Sequence, residues 1–321
     1  MNVLWVMLAS ALLSYLSVAM FRKIALRYGY VDKPNARKKQ KEPLPMLGGL
    51  GMIVVFVLFV SFFIWQYGNN LEDDLTLWGL LGGILVLVVV GFLDDYAKTH
   101  GKDFPALPKF LGQIVASLSL ILTGTVVHGV NIPFGDIGYL TFNPILGQVL
   151  TVLWVVGVIN AFNFLDGIDG LAGGVAAIAG STLLVVTLLM GQTTTALLTA
   201  TLVGTTLGYL RHNFFPAKII MGDTGSMFLG FLLAAISILG AFKSITIASV
   251  LVPMLALGLP IFDAFYVTIR RALNGKPIYS PDRTHAHHRL MDRGLNQKQA
   301  VVFLYLIATC LGLSSLVLTL I

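Results

Sequence analysis

Residues 77–93 read LWGLLGGILVLVVVGFL, an uninterrupted uncharged run. A helix crossing a bilayer needs about 20 mostly apolar residues, because the hydrocarbon core is about 30 Å thick and each residue rises about 1.5 Å. A barrel strand alternates polar and apolar positions over about 10 residues, and this run does not alternate. Similar runs recur at 2–21, 48–67, 110–127, 145–163, 171–190, 195–210, 226–242, 245–269 and 300–321. Only 11% of the 321 residues are charged, against roughly 25% in soluble domains. The expected fold is therefore all-α: a polytopic membrane protein of about ten transmembrane helices, forming a single domain over 1–321. The third and seventh runs are short, which implies little tilt or ends sunk in protein. No internal repeat or low-complexity segment is visible. The first basic residue, Arg22, follows the first run, so that run is expected to be a helix rather than a cleavable signal. The single cysteine, Cys310, excludes an intrachain disulfide and a Cys-based zinc site.

The basic residues give an orientation. All of the 21 lysines and arginines except Lys243 fall in alternate loops: 22–47, 94–109, 211–225 and 270–299. The loop 22–47 alone holds Arg22, Lys23, Arg27, Lys33, Arg37, Lys38, Lys39 and Lys41. Basic residues flanking spans stay in the cytoplasm. With ten spans both ends then lie outside. The acids agree: Glu72, Asp73, Asp74 and Asp136 fall on the outer side, nearly all others on the cytoplasmic face. Chemistry is expected there.

Four polar motifs stand out. In GFLDDYAK, Asp94 and Asp95 directly follow an apolar run. Adjacent carboxylates repel and are costly near lipid, so a divalent cation or a basic partner would relieve them; a solvated helix end is the plainer alternative. In NAFNFLDGIDGLAGG, Asn163, Asp166 and Asp169 are spaced three apart. They share one helix face, or they line a loop if the helix breaks at Gly167. A polar turn is the alternative. In IIMGDTGSMFLG, Asp223 opens the eighth run, either as an N-cap or as a hard-cation ligand beside helix N–H groups able to hold phosphate. In SPDRTHAHHRL, His285, His287 and His288 lie between Arg283 and Arg289. That spacing does not match the His-Glu-x-x-His of a zinc hydrolase. Arginine and protonated histidine suit phosphate oxygens, with a lipid-facing basic loop as the alternative. LPMLGG (44–49) and LPKFLGQ (107–113, with Lys109) open two further spans. Oxygen ligands without thiols, next to basic groups, fit Mg²⁺ and a phosphorylated substrate.

Taken in order, PMLGG, GFLDDY, LPKFLGQ, NAFNFLDGIDGLAGG, MGDTGS, PIFDAFYVTIRR and SPDRTHAHHRL resemble the polyprenyl-phosphate N-acetylhexosamine-1-phosphate transferases (glycosyltransferase family 4) along the whole chain. The resemblance implies that a membrane lipid phosphate attacks the β-phosphorus of a UDP-amino sugar, releasing UMP, with Mg²⁺ (or Mn²⁺) on the diphosphate. It implies Asp223 as a metal ligand, with Asn163 as a second. It implies Asp94, with Asp95 beside it, as base for the lipid phosphate, and Lys109 as their partner. Asp169 would bind uracil, with Asp166 near the substrate. His285, His287, His288 and Arg289 would close over diphosphate and sugar. The His-Ala-His-His-Arg order resembles the N-acetylglucosamine-1-phosphate branch, which starts cell-surface polysaccharide or teichoic acid synthesis. The muramoyl-pentapeptide branch carries three consecutive histidines. Expected partners are a UDP-amino sugar and undecaprenyl phosphate in a bacterial inner membrane, with no nucleic acid and with a homodimer left open. The rival readings fit less well. A transporter would place acids at the midplane in broken, repeated helices. A CDP-alcohol phosphotransferase would carry an arginine after its Asp-Gly, and DGIDGLAGG has none.

Overall fold

A computed structural model describes residues 2–32, 43–67, 74–131, 139–240, 250–275 and 284–320. Several residues weighed above (Lys33, Arg37, Lys38, Lys39, Lys41, Glu42, Glu72, Asp73, Asp136, Lys243, Lys276, Asp282 and Arg283) lie outside them. The helices are α1 (Val3–Tyr28), α2 (Gly48–Tyr67), α3 (Asp74–Thr99), α4 (Ala106–Leu122), α5 (Pro144–Leu165) and α6 (Leu171–Leu189). They continue as α7 (Thr193–Asn213), α8 (Gly222–Gly240), α9 (Leu251–Ala256), α10 (Gly258–Leu273), α11 (Ala286–Asp292) and α12 (Gln297–Leu320). Two small antiparallel pairs, β1 (Val31–Asp32) with β2 (Leu44–Pro45) and β3 (Gly129–Asn131) with β4 (Tyr139–Thr141), close loops at the bundle ends.

Among the described residues, seven helices (α1, α2, α3, α5, α6, α8 and α12) are long and apolar enough to cross a membrane. The chain is a multi-pass, all-α membrane protein, and the expectation of ten spans is met only in part. The run 245–269 is not one helix. It is broken at Leu257 into α9 and α10, because Pro260 lacks the N–H that would bond to the Ala256 carbonyl. The third run is not short: α3 has 26 residues and carries Asp94 and Asp95 inside its last two turns. The seventh is a 21-residue helix rich in threonine. Thr199, Thr201, Thr205 and Thr206 donate their hydroxyls to carbonyls one turn back, which hides their polarity inside the bundle.

α8 is the axis of the bundle, almost wholly buried and packed against α2, α3, α5, α6 and α7. Small residues make this approach feasible, since lipid tails supply no hydrophobic force between helices and close packing must hold them. A Cβ on Gly230 would lie 2.6 Å from the Ile159 Cα of α5, and one on Gly91 would lie 2.6 Å from the Thr224 Cα. Gly48 and Gly49 of the PMLGG motif bring their N–H groups to the Ile220 and Met221 carbonyls at 3.0 and 3.1 Å. That motif therefore docks the start of α2 onto the chain entering α8. The end of α3, the start of α4, the end of α5 and the start of α8 meet at one end of the bundle.

Candidate active site

Four helix ends supply the central cluster. Asp94 and Lys98 sit one turn apart on α3, the favourable spacing for an acid followed by a base. The Lys98 ammonium lies 3.4 Å from Asp94 Oδ1 and 2.5 Å from Asp223 Oδ1. Lys109, in the first turn of α4, lies 3.0 Å from Asp94 Oδ2 and 3.1 Å from Asn163 Oδ1, and it pairs with Asp223 Oδ2. Asn163 donates its amide to Ser226 Oγ at 2.9 Å, which turns its oxygen toward Lys109. Oxygens from α3, α5 and α8 thus converge on a single cationic nitrogen. Oxygens placed this way are the kind of donor a hard cation takes. Among the described residues no three His, Cys, Asp or Glu side chains are grouped to enclose a metal alone. Two carboxylates and an amide, completed by phosphate oxygens and water, form a donor set suited to Mg²⁺.

Asp95 has a different job from its neighbour. It is 1% exposed. Its oxygens accept from the Asp223 N–H at 2.8 Å, the Thr224 N–H at 3.1 Å and the Thr224 hydroxyl at 2.7 Å. It is an N-cap supplied from another helix, satisfying donors that α8 cannot satisfy itself. Gly222, at φ 70°, makes this fit, because a Cβ there would collide with the Asp95 carboxylate. Of the two acids, Asp94, expected as the base, faces the lysines, and Asp95, expected beside it, positions Asp223.

The turn between α5 and α6 shows that the helix does break at Gly167. Asn163 remains helical, Asp166 caps α5, and Asp169 lies in the turn. Burial, then the nearby Asp223 and Asp95 carboxylates, push the Asp166 carboxyl up to about 7. Asp169 accepts from the Ala217 N–H at 3.0 Å and from the Gln297 side chain. Asn213 fixes the same turn, accepting from Gly170 N–H and donating to the Ile219 carbonyl, both at 2.9 Å. The Tyr305 hydroxyl of α12 donates to the Gly170 carbonyl.

The histidine motif is folded onto this turn. Asp263, a buried acid of α10, accepts from the Ala286 N–H at 2.7 Å and lies 2.9 Å from His285 Nδ1. His285 also lies against Phe164, and the His285 and His287 rings stack 5.9 Å apart. His287 packs on Gly167, where a Cβ would lie 2.6 Å from its Nε2. The His288 ring lies tilted against His287, centroids 4.2 Å apart, and the Arg289 guanidinium lies 4.2 Å over Tyr266. His287 departs from the expected phosphate-binding cation. Burial, then the neighbouring histidines, hold it down at about 3, so it is neutral, and among the described residues neither ring nitrogen has a hydrogen-bond partner. Lys98, Thr224, Ser226 and Asp263 were not singled out as site residues from the sequence. The Asp94–Lys98 spacing and an acid within the apolar PIFDAF segment were the available signals.

The family model of glycosyl transferase family 4 matches residues 77–241, the part that contributes every residue of the central cluster. The chain is 35% identical over 301 residues to a probable undecaprenyl-phosphate N-acetylglucosaminyl 1-phosphate transferase of Bacillus subtilis (strain 168), covering 92% of this chain and 79% of that protein. It is 32% identical over 320 residues to a decaprenyl-phosphate N-acetylglucosaminephosphotransferase of Mycobacterium tuberculosis (strain ATCC 25618 / H37Rv), covering 93% and 78%. An undecaprenyl-phosphate alpha-N-acetylglucosaminyl 1-phosphate transferase of Yersinia pestis is 28% identical over 307 residues, covering 94% and 80%. A family model that matches half of the chain, and a relative 35% identical over 92% of it, make this protein a member of glycosyl transferase family 4.

Proposed function

We propose that this enzyme transfers N-acetylglucosamine-1-phosphate from UDP-N-acetylglucosamine to undecaprenyl phosphate, releasing UMP, at the cytoplasmic face of a bacterial inner membrane. The observation that carries the reading is the convergence of Asp94, Lys109, Asn163 and Asp223 at helix ends. There a lipid phosphate and a soluble nucleotide sugar can meet. In the reaction an oxygen of the lipid phosphate forms a bond to the β-phosphorus of the donor. The bond from that phosphorus to the bridging oxygen breaks, and UMP departs with its electron pair. The relatives' names support both the acceptor class and the sugar.

Asp223 and Asn163 would hold Mg²⁺, with Asp94 at its edge. When bound, the ion neutralises diphosphate charge as the leaving oxygen develops it. Lys98 and Lys109 hold the carboxylate-bearing ends of α3 and α8 together, Lys109 also holds Asn163 of α5, and both present positive charge to the phosphates. Asp94 accepts a hydrogen bond or proton from the lipid phosphate, which is already largely ionised near neutrality. Asp95 keeps Asp223 in place. Asp169 and the Gly167–Gly170 turn receive the uracil. His285, His288 and Arg289, anchored through Asp263, cover the diphosphate and sugar, and neutral His287 presses the cover onto Gly167.

The test is UMP release by detergent-purified protein given UDP-N-acetylglucosamine, undecaprenyl phosphate and Mg²⁺, with each omitted in turn. Release that needs all three supports the proposal. Turnover only of UDP-muramoyl-pentapeptide would overturn the sugar assignment, and release with neither donor would overturn the activity.

A further inference from the structure

α1 and α7 run side by side in the same direction. Ser14 donates to the Thr205 carbonyl at 2.6 Å, and Tyr15 stacks on His212 with ring centroids 4.7 Å apart. His212 Nε2 lies 3.0 Å from the Tyr15 carbonyl. α7 ends at Asn213, level with the middle of α1, so the last turns of α1 overhang it. Tyr15 and Arg22 are seven residues apart and therefore lie on one stripe of α1. Arg22 lies two turns beyond Tyr15, near enough to repel a charge on the His212 ring. Arg211 flanks it, and Lys218 returns to it, its N–H donating to the His212 carbonyl at 2.8 Å.

Arg22, Arg211 and Lys218 are all exposed and are the charged neighbours of His212. Among the described residues none of the three reaches a carboxylate within ion-pair distance. Three like charges in one cleft repel, and an anion placed between them removes that repulsion. Arg22 lies nineteen residues beyond the first residue of α1, roughly 28 Å of helix axis, which is about the thickness of the hydrocarbon core. An α1 that crosses the core from its first residue therefore carries Arg22 to headgroup depth, and the long cationic side chains on the shorter α7 side are of the kind that snorkel to it. Exposed Tyr15, stacked on His212, borders the cleft, as aromatic side chains do at membrane interfaces. Below Tyr15 the stripe continues through exposed Leu12 and Leu8, an apolar track for an acyl chain. A soluble anion would have no use for that track.

We propose that the cleft formed by Arg22, Arg211, His212 and Lys218 binds the headgroup phosphate of one anionic phospholipid in the leaflet that faces the active site. The segment 214–221 gives this binding a consequence. It carries Lys218 at the cleft, the Ala217 N–H that Asp169 holds, and the Ile220 and Met221 carbonyls that seat the start of α2. A lipid held by Lys218 braces the backbone that supports Asp169.

The proposal is tested by native mass spectrometry of the full chain, purified in mixed micelles of phosphatidylglycerol and phosphatidylcholine in equal amounts. No turnover is needed. The wild type should retain one phosphatidylglycerol through detergent washing in preference to phosphatidylcholine. The variant Arg22→Gln/Arg211→Gln/Lys218→Gln should lose that preference by on the order of tenfold or more. The control Lys23→Gln/Arg27→Gln/Lys102→Gln removes three exposed cations outside the cleft and should keep it. Equal loss in the control, undiminished retention in the cleft variant, or displacement of the lipid by millimolar inorganic phosphate would each overturn the proposal. Should the triple variant fail to fold, the single variants Arg211→Gln and Lys218→Gln carry the same expectation with a severalfold loss each.

Discussion

Asp95 offers the sharpest test of how the site is built. Asp95→Ala removes three hydrogen bonds and leaves the N–H groups of Asp223 and Thr224 and the Thr224 hydroxyl without their acceptor. A hydrogen bond to a charged group contributes about 1.5–3 kcal/mol, and a buried donor left without its acceptor costs about 1–3 kcal/mol. These effects overlap, because the three donors share one carboxylate. The expected loss is about 3–5 kcal/mol, the range found when a buried charged partner is removed. Asp95→Asn keeps the shape and one acceptor oxygen but places an amide against donors, and should cost about half as much. The assay is thermal unfolding of both variants in the same detergent, together with the Mg²⁺ concentration that gives half-maximal turnover. Loss of the cap loosens α8 at Asp223, so the melting temperature should fall in the order wild type, Asn, Ala, and the Mg²⁺ requirement should rise in parallel. An unchanged melting temperature for the alanine variant, with activity abolished, would refute the cap and return Asp95 to the role of a reacting acid.

Further expectations can be checked in the same preparation. Asp223→Ala should lower turnover by a factor on the order of 10³, as loss of a major electrostatic contact does, while the protein stays folded in the membrane; normal turnover at ordinary Mg²⁺ would remove Asp223 from the metal site. His287 binds a proton more readily unfolded (6.5) than folded (about 3), so its contribution to stability is complete above 6.5 and is lost as pH falls through that window. Acid unfolding curves of wild type and His287→Gln should therefore converge as pH drops from 6.5, by up to about 1.4 kcal/mol per unit, and parallel curves would contradict a buried neutral ring. Asp263→Asn should raise the KM for the nucleotide sugar more than it lowers kcat, since it frees the start of α11; an unchanged KM would detach that helix from donor binding. Gly174→Ala places a methyl on the Tyr305 phenol and should cost about 1–3 kcal/mol in stability, read by thermal unfolding.

Much of the architecture was legible because the bilayer imposes it. A helix that must satisfy its backbone in hydrocarbon announces itself as an uninterrupted apolar run, and five of the seven apolar membrane-length helices overlie such runs closely. The exceptions are α1 and α3, which continue through Arg22, Lys23 and Arg27 and through Asp94 and Asp95, where hydropathy alone would stop them. The apolar signal ends at the first charge, whereas the helix ends only where its backbone bonds do. Hydropathy also missed the break at Leu257, because prolines are common in membrane helices and their effect depends on which carbonyl is left over.

The gathering of polar motifs at one end of the bundle followed from their places at span ends, and so did the meeting of Asp94, Lys109, Asn163 and Asp223. Their individual roles did not. Asp94 and Asp95 are chemically identical neighbours, but successive residues on a helix point about 100° apart. One therefore faces two lysines, and the other faces the amide N–H groups at the start of α8. No property of the pair in the sequence distinguishes them. The packing of α3 against α8 does, through Gly91 and Gly222, which let the two backbones come close enough for a carboxylate on one helix to cap the other. His287 makes the same point. Flanked by histidines and followed by an arginine, it reads as a cation, yet its docking on Gly167 removes it from water and keeps it neutral. Sequence determined which groups reach this end of the bundle; desolvation and helix-to-helix contact, which exist only in the folded chain, decided what each of them can do.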